Sequence, residues 1–161
     1  MDVTYARERF PGVTEMAQFA KLFIEHGIEV RGQPFELFLP RYHSVELENR
    51  LVWFVARSIQ TEQPVGYSCA YWYRDLHFAE VVAADDIWYV DKEFRRKGIG
   101  RALRAMCHDV LQQAGVIRVY DALRAEYNHP TLMLDLGYKL WGARWVRDFT
   151  TIPVSPAGSG S

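Results

Sequence analysis

Hydrophobic positions recur with two different periods along the chain. From Thr14 onward they come every three or four residues, at Met16, Phe19, Ala20, Phe23 and Ile24. That spacing predicts an amphipathic helix, with Gly27 as its stop. Residues 51–56, LVWFVA, form a β-rich run instead, and residues 58–64 are polar. Residues 65–73 then alternate, with Val65, Tyr67, Cys69, Tyr71 and Tyr73 expected on one face. Two such runs across a short polar link read as a hairpin. Residues 74–79 form a loop before a further strand over residues 84–90. Upstream, residues 3–7 suit a short first strand. Residues 29–48, interrupted by Gly32, Pro34 and Pro40, suit a loop with a short helix.

After Gly98 the period changes from two to 3.6. Ile99, Ala102, Leu103, Met106, Cys107, Val110 and Leu111 share one helical face. Arg101, Arg104, His108, Asp109, Gln112 and Gln113 fall on the polar face, and Gly115 ends the helix. Residues 116–120 return as a strand. A strand–helix–strand unit of this kind is the crossover that parallel strands require. A second helix is expected over residues 129–136, with Pro130 in its first turn and Gly137 as its stop. A last strand follows over residues 138–149. The order predicts an α/β fold, a central twisted sheet with parallel and antiparallel pairs flanked by helices. One domain should span residues 1–151, and residues 152–161, IPVSPAGSGS, should be a flexible tail.

Composition narrows the function classes. The 161 residues suit one core, and the formal charge is −1 with an isoelectric point near 6.5. Such a balance offers nucleic acid or an anionic membrane surface no basic partner. The N-terminal residues lack an apolar signal region, and no apolar run approaches a spanning length, so a cytoplasmic protein is expected. Cys69 and Cys107 read as buried thiols. Among the histidines, His26, His43, His77 and His108 show no metal-ligand spacing, and no metal is expected.

Charge is nevertheless uneven. Arg95, Arg96, Lys97 and Arg101 stand together without an acid between them, around Gly98 and Gly100. The stretch is a strand, a basic turn with two glycines, and a helix. A helix start offers unpaired N–H groups and a partial positive charge, and glycine lets a ligand approach the backbone. The arrangement suits a pyrophosphate. A Walker A loop is absent, and Leu103 occupies the third glycine position of a dinucleotide fingerprint. What remains is Arg-x-x-Gly-x-Gly between strand and helix. With Val90, Arg95, Gly98 and Gly100 in order, and Leu136-Gly137-Tyr138 downstream, the sequence resembles the GCN5-related N-acetyltransferases (GNAT family).

The resemblance implies an acetyl-CoA-dependent N-acetyltransferase acting on a small-molecule or peptide amine, with homodimer formation compatible with the fold type. It assigns the pyrophosphate to backbone N–H groups from Arg95 through Arg96, Lys97, Gly98, Ile99, Gly100 and Arg101 to Ala102. It assigns the pantetheine arm to the strand at Trp88, Tyr89 and Val90, with the Val90 N–H on the thioester carbonyl. Asn128 stands where many relatives contact CoA. Asp86 takes the place of a catalytic glutamate, as base or ammonium anchor, and alternation would put it on one face with Trp88 and Val90. As a turn residue, Asp86 equally suits a strand entry. Glu80 is expected in or near a loop over the pocket. The usual acid position holds Met133, which leaves Tyr127, Tyr120 and His129 as substitutes. That gap also admits a second reading, an acyl-CoA-binding or regulatory module without catalysis.

Overall fold

The computed structural model describes residues 2–121 and 130–139. Its elements are β1 (Val3–Arg7), α1 (Met16–Arg31), α2 (Leu39–Leu47), β2 (Leu51–Ser58), β3 (Pro64–Arg74) and β4 (Val81–Val90), followed by a 3-10 turn (Lys92–Phe94), α3 (Ile99–Gln113), β5 (Arg118–Asp121) and α4 (Pro130–Asp135). Five strands form one sheet in the order β1-β2-β3-β4-β5. The first four are antiparallel neighbours, and β5 runs parallel to β4, as its α3 crossover requires. The mixed α/β sheet is therefore the one the sequence predicts. The expected strand over residues 138–149 and the expected tail lie largely or wholly outside the described residues.

Helices cover both faces of the sheet. On one side Phe19, Leu22 and Phe23 of α1 and Val45 of α2 pack on Leu51, Trp53, Val55, Tyr67, Cys69, Ile87 and Tyr89. On the other, Ile99 and Leu103 of α3 pack on Ala56, Val65 and Val90, and Cys107 and Leu111 pack on Val52, Ala70 and Ala83. Trp53 lies beside Phe10, Phe19, Phe23 and Tyr67, with ring centroids 5.0–6.4 Å apart. Aromatic groups at these spacings account for much of what the sequence spends on large side chains.

Two boundaries differ from expectation for a physical reason. Helix α1 does not stop at Gly27. It continues to Arg31 and ends at Gly32, which adopts a left-handed φ of 75° and bonds back to the Ile28 carbonyl. Gly27 has a packing task instead. A Cβ there would lie 2.4 Å from the Phe35 nitrogen and 2.5 Å from the Gln33 oxygen. The chain after α1 thus lies directly on the helix backbone. In an unhindered helix, Gly→Ala gains about 1 kcal/mol. Here we expect Gly27→Ala to destabilise by about 1–3 kcal/mol, as overpacking does, with urea unfolding as the measure.

The second difference is β4, which begins at Val81 rather than Ala84. Its pairing with β3 slips between Cys69↔Ile87 and Ala70↔Asp85, so Asp86 is an extra residue, a bulge. A similar irregularity at Ala56/Arg57 leaves Val65 unpaired between Pro64 and Gly66. It sends Val65 to the α3 side, away from Tyr67 and Cys69. The expected single face for Val65, Tyr67 and Cys69 is corrected accordingly.

Candidate active site

Among the described residues, β4 and β5 pair through residues 82–85 and 118–121. Beyond that point the β4 edge from Asp86 to Val90 has no neighbouring strand among the described residues. A cleft of about 660 Å³ opens beside it, lined from the strands by Asp85, Asp86, Trp88 and Asp121 and from the helical side by His26, Phe35 and Tyr42.

The turn that follows β4 is held from several sides. Asp91 accepts from the Glu93 N–H at 3.0 Å and pairs with Lys21 of α1 at 2.7 Å. Arg95 donates through Nε to the Val90 carbonyl at 2.9 Å, pairs with Glu29 at 2.8 Å, and lies over the Tyr89 ring at 5.0 Å. Its side chain is thus an anchor between β4 and α1, and only its backbone remains for a ligand. Lys97 donates to the Glu93 carbonyl, and Arg101 pairs with Asp135 of α4. Arg96 is exposed, carries a φ of 64°, and makes no ion pair among the described residues. Gly98 caps α3 with a left-handed φ of 78°, and no side chain caps the helix start. Among the described residues no side chain takes the first N–H groups of α3, which carry a partial positive charge. Around a Cβ built on Gly98 no atom lies within 4 Å, whereas at Gly100 it would meet Trp88 Cζ2 at 2.9 Å. The glycine turn and a helix start that no described side chain caps fit the phosphates of an acyl-CoA.

The bulge separates two adjacent acids. Asp86 faces α2, where the Tyr42 hydroxyl donates to its Oδ2 at 2.6 Å. Asp85 turns to the α3 side, where it pairs with Arg104 at 2.9 Å. Trp88 is on that side too, under the Arg104 guanidinium at 4.7 Å. Asp86 therefore does not share a face with Trp88 and Val90, and the expectation from simple alternation is corrected. Asp86 is open to the cleft, yet the walls around it partly desolvate its carboxyl and push it above the ordinary aspartate range, and the Tyr42 hydrogen bond acts in the opposite direction. Tyr42 is fixed in turn by stacking on Phe10, with centroids 4.3 Å apart.

Sequence reasoning missed a buried polar cluster. Arg104, expected on the polar face of α3, is only 2% exposed. It bonds Asp85 and Asp121, while the Tyr138 hydroxyl reaches Asp85 and lies 2.8 Å from His108 Nε2. Its position next to Leu103 and three residues before Cys107 was the available signal. His26, also missed, lines the cleft with Nδ1 2.8 Å from the Tyr67 hydroxyl, and burial pushes it down to about 4, so it is neutral near pH 7. Glu80 does not line the cleft and pairs with Arg118 at 3.2 Å. Tyr127, Asn128 and His129 lie outside the described residues. Tyr120 is in β5, 3.2 Å from Arg118. Cys107 is buried with its thiol pushed up to about 12, and burial raises Cys69 as well, so neither suits a covalent acyl carrier. No helix among the described residues is long and apolar enough to cross a membrane.

Comparison with known proteins bears on the fold and the family. Residues 16–134 match the family model described as Acetyltransferase (GNAT) family. Among solved structures, a transcriptional regulator from Bacillus halodurans C-125 superposes with a TM-score of 0.74 at 14% identity, covering 92% of this chain and 100% of that one. An acetyltransferase from Trypanosoma brucei gives 0.70 at 15% identity, covering 91% and 99%. A ribosomal-protein-alanine N-acetyltransferase from Brucella melitensis biovar Abortus 2308 gives 0.66 at 17% identity, covering 92% and 100%. No curated protein sequence matches the chain. The family match spans most of the sequence, from α1 through the glycine turn and α3 into α4, and on that ground the chain belongs to the GNAT family of acetyltransferases.

Proposed function

We propose that the protein is an acetyl-CoA-dependent N-acetyltransferase that acylates a primary amine by direct attack in a ternary complex. The observation that carries this reading is the glycine-turned start of α3, which no described side chain caps, beside β4 and next to a cleft that contains Asp86. The backbone from Arg95 to Ala102 would hold the pyrophosphate, and Trp88, Tyr89 and Val90 would flank the arm. When bound, acetyl-CoA supplies the activated acyl group as a thioester.

Asp86 does the work on the acceptor. An alkyl ammonium has a pKa near 10, so a proton must leave before the nitrogen can attack. The Asp86 carboxylate is presented to the cleft and oriented by Tyr42. It anchors the ammonium and accepts its proton, directly or through water. The raised position of its carboxyl makes it a better proton acceptor than an ordinary aspartate.

The test is calorimetry with acetyl-CoA, ATP and NAD, followed by thiol release with a panel of amines. Saturable acetyl-CoA binding with release of CoA is expected. Binding with no release for any amine would favour the non-catalytic module, and no binding would remove the proposal.

A pH prediction follows from the Asp86–Tyr42 bond. The base works when deprotonated, so kcat/KM should rise with pH through the Asp86 pKa. The Tyr42 hydrogen bond favours the carboxylate. Tyr42→Phe should therefore move the acidic limb to higher pH, and Asp86→Asn should abolish that limb. Superimposable profiles for wild type and Tyr42→Phe would detach Tyr42 from the chemistry.

A further inference from the structure

The charges around the cleft are sorted by element. The strands contribute Asp85, Asp86 and Asp121, and the helical wall contributes Arg31, Glu36 and Arg41. Of the acids on the strands, Asp85 and Asp121 are both bonded to Arg104. Asp86 has no cationic partner among the described residues, and it is the group exposed to the cleft. One unneutralised carboxylate is therefore presented from β4.

The opposite condition holds on the helical wall. Arg50, Arg57, Arg95, Arg101, Arg104 and Arg118 each pair with a carboxylate. Arg31, in the last turn of α1, and Arg41, in the first turn of α2, make no ion pair among the described residues, and both are exposed. Arg31 lies over the Phe35 ring at 5.6 Å. Phe35 is itself fixed, because His26 meets it edge-on at 4.6 Å and its backbone rests on Gly27. Two guanidinium groups against the single Glu36 leave this wall net positive. A guanidinium binds carboxylate and phosphate through paired N–H donors, so the wall is chemically suited to an anion. Phe35, Tyr42 and Tyr71 supply apolar surface to the same cleft.

We propose that the acceptor is an amine that also carries an anionic group, a carboxylate or a phosphate. Arg31 and Arg41 take the anion while the ammonium sits at Asp86. The inference rests on the acetyltransferase reading of this cleft and adds the substrate class to it.

The test compares acceptors matched in length: 5-amino-1-pentanol, 5-aminopentanoate, 5-aminopentyl phosphate and 1,5-diaminopentane. Each is measured by thiol release at saturating acetyl-CoA, with 4-(aminomethyl)benzoate and its alcohol as a stiffer pair. At least one anionic amine should exceed its neutral counterpart in kcat/KM by about tenfold, a difference of about 1.4 kcal/mol. The carboxylate and phosphate arms identify which anion is preferred. In Arg31→Gln/Arg41→Gln the preference should fall to within about threefold of unity, carried by KM, while the calorimetric Kd for acetyl-CoA stays unchanged. Equal or better use of the alcohol or the diamine by wild type overturns the proposal, as does a preference that survives the double variant. If no probe is turned over, binding of the anionic amines to the CoA complex is read by calorimetry, and absence of binding also overturns it. Failure of the cofactor titration, by contrast, removes the acetyltransferase reading itself.

Discussion

Gly100→Val should weaken acetyl-CoA binding by on the order of a hundredfold or more, about 2.7 kcal/mol, while the sheet and α3 remain folded. The reason lies beneath the helix rather than above it. A Cβ on Gly100 comes within 2.9 Å of Trp88 Cζ2 and 3.2 Å of Trp88 Nε1. The buried Arg104 guanidinium, one turn further along the same helix, lies over this indole at 4.7 Å, so moving the ring disturbs that contact as well. A branched side chain therefore forces the indole out or lifts the first turn of α3. Either movement disturbs the helix start and the β4 edge together, the two surfaces expected to hold the cofactor. Gly98 provides the contrast. Its Cβ would enter open space, so Gly98→Ala costs about 1–2 kcal/mol of left-handed backbone strain without a collision. Calorimetry and circular dichroism on both variants check this. Wild-type affinity in a well-folded Gly100→Val would show that the cofactor does not use this turn.

Arg104→Leu should be strongly destabilising, at about 3–5 kcal/mol. The substitution strands the buried Asp85 and the half-buried Asp121 in a setting where each had a guanidinium partner. Burial already raises the Asp121 carboxyl, with Arg104 acting against it. Without the arginine both acids must take up protons or draw in water. For a chain of this length each kcal/mol corresponds to roughly 2–4 °C, so a fall of about 10 °C in Tm is expected. Adding Asp85→Asn and Asp121→Asn to Arg104→Leu should recover part of that loss, since the uncompensated charge is then gone. A fall of only a degree or two would mean that solvent already neutralises the cluster.

The residues that could be read from the sequence are those whose signal is local. The change of period after Gly98, the pair of glycines and the basic run fixed the turn, α3 and its strand, because backbone conformation and helix polarity act over a few residues. A β-rich run located β2, and alternation located β3. The errors came from contacts between distant segments. Gly27 looked like a stop because glycine ends many helices, but here it admits the backbone of residues 33–35, which no local pattern announces. Arg104 looked solvent-facing because it is charged. Its partners Asp85 and Asp121 are 19 and 17 positions away, so its burial is a property of the assembled sheet. The β4 bulge carries neither glycine nor proline, and counting by twos past it assigned Asp86 to the wrong face.

That irregularity gives two identical, consecutive side chains unlike fates. If one residue were deleted between Ala84 and Ile87, β4 could pair in an unbroken ladder. Only one aspartate could then occupy the site of two, and either the hydroxyl of Tyr42 would lose its acid or the guanidinium of Arg104 one of its two. Length at this point of the strand is thus under tighter constraint than composition. A neutral substitution elsewhere in β4 can be absorbed, whereas a shift of frame by a single amino acid would trade reactivity against folding.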